Sequence, residues 1–276
     1  MKNFVCEIID ILLKKAETIT LIMDQSQVLE DRQCLMASLR FENRALPVLW
    51  KIVDTKGAIG FDVQEKLLDQ LLEMIPPGVE VLLAADRFYG TKSFVEWCQK
   101  AGWHYRVRLK GNLIFQYEGK NITAKEVGKL PESKVIGAKF NDSDIQTNLG
   151  YLHEEGHDEA WIIAMDCDPS RETILDYGQR WGIECMFSDL KSRGFSVTET
   201  HLRDVERLER LLLILAIALY WGASVGLAEE VKEKYTEKKQ DRSKRSFLTK
   251  GLATIFSMIV SSTFFHELWA HVPWIT

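Results

Sequence analysis

Two apolar runs that each end on an aspartate constrain this chain more than any other feature. TITLIMD places β-branched and long aliphatic residues from Thr18 to Asp24, and VEVLLAAD does the same from Val79 to Asp86. A nearly continuous apolar run of this length reads as a strand buried on both faces, as in a parallel or mixed sheet with helices on each side. Ligands of such α/β sheets collect at the carboxyl ends of the strands, so Asp24 and Asp86 are delivered to one edge. The surrounding sequence supports the layout. Strands are expected at 18–24, 33–41 and 46–54, a turn at 57–60, and a helix over 62–75 stopped by Pro76 and Pro77. The strand ending at Asp86, a helix over 92–101 and a strand over 103–109 follow. Between Gly111 and Glu159, short alternating stretches separated by Gly, Asn, Pro and Asp predict a small antiparallel insertion. AWIIAMD then returns to the core, and Asp168 with Pro169 is expected to cap and open the next helix.

That next helix contains YGQRWGIECMFSDLK, residues 177–191. At ~100° per residue, Tyr177, Arg180, Glu184 and Lys191 fall within an arc of about 60°, so one helix would carry one polar stripe. The neighbouring arc holds Leu175, Ile183, Met186, Phe187 and Leu190, which can lie on a core. Taken alone, the stripe also fits an ordinary solvated face. With Asp24 and Asp86 it reads differently. A stripe ~21 Å long with two cations, a phenol and a carboxylate suits an extended polyanion such as a nucleic-acid backbone. Asp24, Asp86 and Glu184 together offer hard oxygen ligands, which points to two Mg²⁺ (or Mn²⁺) ions acting on a phosphodiester.

These residues resemble insertion-sequence transposases of the DDE type, in the branch marked by a Tyr-(2)-Arg-(3)-Glu-(6)-Lys signature. Tyr177, Arg180, Glu184 and Lys191 have that spacing without a gap, Asp86 in ADRFYG is similar to the second acid with its following Arg87, and Asp24 in LIMDQSQV matches the first. The resemblance covers roughly residues 18–225. It implies a ribonuclease-H-like mixed sheet flanked by helices, an α/β fold with the small antiparallel insertion before the catalytic Glu helix. The expected organisation is 1–111 as the first part of the catalytic core, 112–159 as the insertion, 160–228 as the second part with the Glu helix, and 229–276 as a basic helical region.

The resemblance also implies roles. Asp24, Asp86 and Glu184 would be catalytic and metal-binding. Tyr177, Arg180 and Lys191 would grip phosphates of double-stranded DNA, both transposon ends and target, in a homodimeric complex with a hairpin intermediate. Some members stack a flipped base on a tryptophan of the insertion, and Trp161 is the nearest candidate here, although its core-like strand favours packing. Relatives carry a sizeable recognition region before the first Asp, whereas 23 residues precede Asp24. End recognition is therefore expected from the C-terminal region or a partner chain, unless this is a catalytic fragment. A catalytically silent remnant that binds DNA or another subunit is the alternative function.

The formal charge of −5 does not advertise a DNA-binding protein, but its distribution does. Six basic residues between Arg87 and Lys110 face only Glu96, and eight between Lys232 and Lys250 face three acids, each stretch netting +5. Arg106 and Arg108 alternate on WHYRVRLK, so both would project from one face toward phosphate. The five cysteines show no C-x-x-C spacing, which favours a reducing cytoplasm. The apolar run Leu211–Ala228 is diluted by Tyr220, Gly222, Ser224 and Gly226 and reads as a core helix, with no membrane partner expected. HEEGH at 153–157 satisfies the H-E-x-x-H pattern of zinc peptidases. Gly150 and Gly156 around it deny the stable helix that this chemistry needs. His266 and His271 are read as helix-packing residues.

Overall fold

The two aspartate-ended runs form central strands of a single mixed sheet. The structure, a computed structural model, describes residues 6, 8, 9, 18–156, 158–235 and 246–260. Strands β1 (Thr18–Leu29), β2 (Arg32–Phe41) and β3 (Arg44–Asp54) form an antiparallel meander. Helix α1 (Phe61–Met74) follows, with Gln64, Leu67, Leu68 and Leu71 on its buried stripe. It ends at Met74, with Ile75 as its extended C-cap before Pro76, one residue short of the expected end. Strand β4 (Glu80–Ala85) then pairs in parallel with β1, and after helix α2 (Lys92–Ala101) strand β5 (His104–Arg108) pairs in parallel with β4. Thr91 caps α2 by accepting the Phe94 N–H at 3.3 Å, and Gly102 closes it in the left-handed region that favours glycine. Trp97 of α2 donates to Asp69 of α1 at 2.8 Å, tying the two helices together.

Strands β6 (Ile114–Tyr117), β7 (Lys120–Thr123), β8 (Lys134–Phe140) and β9 (Gln146–Leu152) are the antiparallel insertion, followed by β10 (Trp161–Met165). The insertion is not a separate leaf. β10 pairs with both β5 and β9, so ten strands run in the order β3-β2-β1-β4-β5-β10-β9-β8-β6-β7. The β3-β2-β1-β4-β5 part, an antiparallel meander followed by two parallel strands, is the ribonuclease-H-like arrangement that the sequence led us to expect. Ile22, Leu35, Leu83, Ala84 and Val107 are fully buried along it. Each such side chain contributes roughly 1–3 kcal/mol through burial, depending on its size.

Two details depart from expectation. β1 does not stop at Asp24 but runs five residues further, paired with β2 alone once β4 has ended. The segment after β10 is not one helix. It is α3 (Arg171–Leu175), a 3-10 turn (Asp176–Arg180), α4 (Trp181–Ser188) and a π turn (Asp189–Arg193). Its cap is Ser170, whose hydroxyl accepts the Thr173 N–H at 3.2 Å, whereas Asp168 accepts from Lys134 at 3.2 Å.

The chain divides into two compact units, Met1–His201 and Leu202–Thr276. The second contains α5 (Val205–Tyr235) and α6 (Phe247–Val260). They cross closely at Gly222 and Gly251, where a Cβ on Gly251 would overlap the Gly222 carbonyl oxygen. Val205–Glu229 is long and apolar enough to cross a bilayer, a test that the core helix of a soluble protein also passes, and half of its most apolar window is buried.

Candidate functional site

The parallel register between β1 and β4 builds the first half of the site. It ends at Met23↔Ala85, so Asp24 and Asp86 are the next residues on adjacent strands. Neighbouring strands lie ~4.8 Å apart, and paired positions share a face. Asp24 accepts the Gln25 N–H at 2.8 Å and an Arg180 guanidinium N–H at 2.8 Å. Asp86 accepts the Arg87 N–H at 2.6 Å and the Tyr177 hydroxyl at 3.3 Å.

The helical segment supplies the second half. α4 lies against β3, where Gly182 permits the approach: a Cβ there would stand 2.7 Å from the Arg44 backbone. Arg44 in turn forms a buried ion pair with Asp189, anchoring the π turn. Arg180, at the end of the 3-10 turn, pairs with Glu184 as well as with Asp24 and lies 5.8 Å from the Tyr177 ring centroid. Lys191 reaches back to β1, donating to Ser26 at 2.6 Å. The four residues of the polar stripe thus lie along the Asp24–Asp86 edge, although the helix that was to carry them is broken into three pitches.

The electrostatics show one shared locale. Asp24 is pushed up to about 6, first by burial, against the pull of Arg180 and the Gln25 N–H, and further by the charges of Asp86 and Glu184. Arg180 is buried too, which works against its charge, yet Tyr177, Asp24, Asp86 and Glu184 hold it more firmly protonated than usual. Tyr177 is buried, and that burial, partly offset by Arg180 and reinforced by Asp86, pushes its phenol up to about 12. Burial lowers Lys191 from its ordinary value. Among the described residues, no three His, Cys, Asp or Glu side chains stand close enough together to hold a metal ion as placed. The Arg180 guanidinium lies between two of the three acids.

The other basic candidates separate by burial. Arg87 and Arg108 converge on the exposed Glu159, at 3.2 Å and 2.8 Å, and form a basic rim next to Asp86. Arg106 corrects the expectation of a phosphate contact. It is buried, and its guanidinium is spent on the Thr173 and Tyr105 carbonyls, on Asp166 at 3.0 Å and on Cys167, with Asp176 at 3.7 Å. Trp161 packs edge-on against Tyr177 with centroids 5.1 Å apart, in a small core with Ile163, Met165 and Ile174. Residues 153–156 of HEEGH form no helix: β9 ends at Leu152 and Glu154 pairs with Arg171, while His157 lies outside the described residues. His266, His271 and residues 236–245 of the basic C-terminal stretch also lie outside them.

Sequence reasoning missed three participants. Ser26 receives Lys191, Arg40 donates to the Gln179 carbonyl at 3.0 Å, and Tyr89 is buried beside the acids. Tyr89 stands within ADRFYG, but no spacing rule marks it.

A family model described as a transposase DDE domain matches residues 53–221. The matched stretch holds Asp86, Tyr177, Arg180, Glu184 and Lys191 and begins after Asp24. Among curated proteins, none matches the chain. Two solved structures are similar in part. One is the Argonaute of Marinitoga piezophila in complex with 5′ OH guide RNA and target DNA, with 10% identity and a TM-score of 0.30 over 72% of this chain and 29% of that one. The other is human ENDOV, with 12% identity and a TM-score of 0.32 over 72% of this chain and 87% of that one.

Proposed function

Because the chain belongs to the family of transposase DDE domains, we propose that it is a metal-dependent DNA transposase that cuts strands at transposon ends and joins them to target DNA. The observation that carries this reading is geometric: Arg180 pairs with both Asp24 and Glu184, and Asp86, next to Asp24 across the β1–β4 register, accepts the Tyr177 hydroxyl of the same segment.

Transposase DDE domains use divalent metal ions, and the donor set here fits them. Asp24, Asp86 and Glu184 offer carboxylate oxygens without a soft ligand, as Mg²⁺ or Mn²⁺ prefers. The positive charge that these acids require is supplied in the structure by Arg180. We assign the three acids as the ligands of two ions. Bound there, the ions would supply Lewis acidity to a water or 3′-hydroxyl and to the leaving oxygen.

The chain's own cations act on the DNA. Arg180 exchanges a carboxylate for a phosphate oxygen, Lys191 offers its ammonium from the Ser26 side, and Tyr177 holds Asp86 by its hydroxyl. Arg87 and Arg108 share one exposed carboxylate, which a phosphate can displace. Assignment to the Tyr-Arg-Glu-Lys branch, a homodimer bridging two DNA ends and a cytoplasmic setting belong to the same reading.

Purified protein incubated with supercoiled plasmid and Mg²⁺ or Mn²⁺ tests it. Nicking is expected from the parent chain and not from Asp86→Asn. Nicking that persists unchanged in the variant removes Asp86 from the mechanism. A parent that never nicks leaves the alternative, a silent remnant that binds DNA or another subunit.

A further inference from the structure

The guanidinium of Arg180 divides its two terminal nitrogens between two acids. One donates to Asp24 at 2.8 Å and the other to Glu184, so a single cation bridges β1 and α4. A guanidinium fork often presents two nitrogens to one carboxylate or phosphate, whereas here each nitrogen has a carboxylate of its own. The bridge is sheltered. The Arg180 and Asp24 side chains are 12% and 16% exposed, and Glu184, at 40%, forms its more open side.

The backbone beside the bridge is pinned. The Gln179 backbone carbonyl accepts from Arg40 at 3.0 Å, and its side-chain carbonyl accepts from Thr20 of β1 at 3.0 Å. Gly182, pressed on the Arg44 backbone, holds the other flank. Arg180 therefore leaves the acids by rotating its side chain, not by a shift of its turn. As placed, the acids are set around a guanidinium: among the described residues, no three His, Cys, Asp or Glu side chains come close enough to hold a metal ion. So little of Arg180 is exposed that a phosphate can engage its fork only when it lets go of an acid.

We propose that Arg180 is an autoinhibitory latch: in the DNA-free chain Asp24 and Glu184 hold it, and a DNA phosphate draws it away before those acids can receive another cation. The inference rests on the reading of the chain as a DNA transposase. By linkage, whatever loosens the latch tightens DNA binding, and DNA binding opens the acids. A purely structural ion pair has no such consequence, since losing it lowers stability and leaves DNA affinity to follow charge alone.

Binding of a fluorescein-labelled DNA duplex in EDTA, read by anisotropy at one salt concentration, tests the latch without any metal. An arbitrary sequence serves, because backbone contacts carry no sequence information. Glu184→Gln releases one nitrogen and is expected to tighten binding about tenfold, within the usual range of coupling between sites. Asp86→Asn removes the same charge from the same edge but holds Tyr177 instead of Arg180. It is expected to tighten binding by no more than about threefold, the effect of one screened charge. In an Arg180→Met background the two substitutions are expected to act alike. Asp24→Asn releases the other nitrogen and is expected to match Glu184→Gln, so a folding defect in one variant does not decide the result. If Glu184→Gln and Asp24→Asn bind no tighter than Asp86→Asn, the latch is overturned and the transposase reading stands. An advantage that persists in the Arg180→Met background also overturns it, because the gain is then charge alone. If neither the parent nor any variant binds the duplex at low salt, both fall.

Discussion

Asp24 carries the cost of the site at the scale of a single residue. Its carboxyl is buried beside two other acids and is held at about 6 rather than near 3.8. A group whose folded value lies above its unfolded one binds its proton more tightly when folded. Stability therefore rises as pH falls from about 6 toward 4, and the charged form is a penalty above pH 6, on the order of 3 kcal/mol. Asp24→Asn removes that penalty. In EDTA the variant is expected to be more stable than the parent at pH 8, with the difference shrinking as pH approaches 4; unfolding temperatures across that range check it, and a pH-independent difference contradicts it. Aspartate at this position is thus better explained by what it binds than by what it stabilises. Its place on an apolar strand was legible in the sequence. Its pairing with Arg180 was not, because a contact between distant parts of the chain is a fact of three dimensions that an alternating or periodic pattern does not encode.

The 177–191 segment shows how an element can keep a polar stripe while abandoning regular geometry. The sequence reading laid Tyr177, Arg180, Glu184 and Lys191 on one helix, and the structure distributes them over 3-10, α and π turns that still face β1 and β4. The irregularity has local causes: Gly182 brings α4 against the β3 backbone, and the Arg44–Asp189 pair fixes where the π turn begins. Gly182→Ala forces that contact apart. It is expected to cost about 1–3 kcal/mol of stability and, by moving Glu184, to lower plasmid nicking by about a hundredfold or more. Stability falling without loss of nicking contradicts the proposed link between this packing and the acid.

Arg106 and Arg108 on β5 make the complementary point. Alternation put both on one face correctly, but pattern alone cannot tell a buried arginine from an exposed one. Arg106→Met is expected to destabilise the fold by about 3 kcal/mol, since it leaves Asp166 without its buried partner. It should leave the salt dependence of DNA binding unchanged, whereas Arg108→Ala lowers that slope by about one. Unfolding temperatures and binding titrations at several salt concentrations separate the two roles.

At the scale of the whole molecule, the formal charge is −5, and the proposed nucleic-acid contact falls to local basic residues such as Arg87 and Arg108, which share Glu159 beside Asp86. The central strands were readable because apolar runs bounded by Pro, Gly and charged residues leave few choices. The continuity of ten strands was not, since nothing local in 111–159 states that β9 will pair with β10. The account depends on three carboxylates from β1, the end of β4 and α4 acting as one unit. Nicking rates of Asp24→Asn, Asp86→Asn, Glu184→Gln and the triple variant on one plasmid in Mn²⁺ test that most directly. Residues that work together are non-additive, so each single change is expected to lose about a thousandfold or more and the triple variant no more than the singles. Modest single losses that multiply in the triple variant, or any single variant as fast as the parent, would contradict a shared centre.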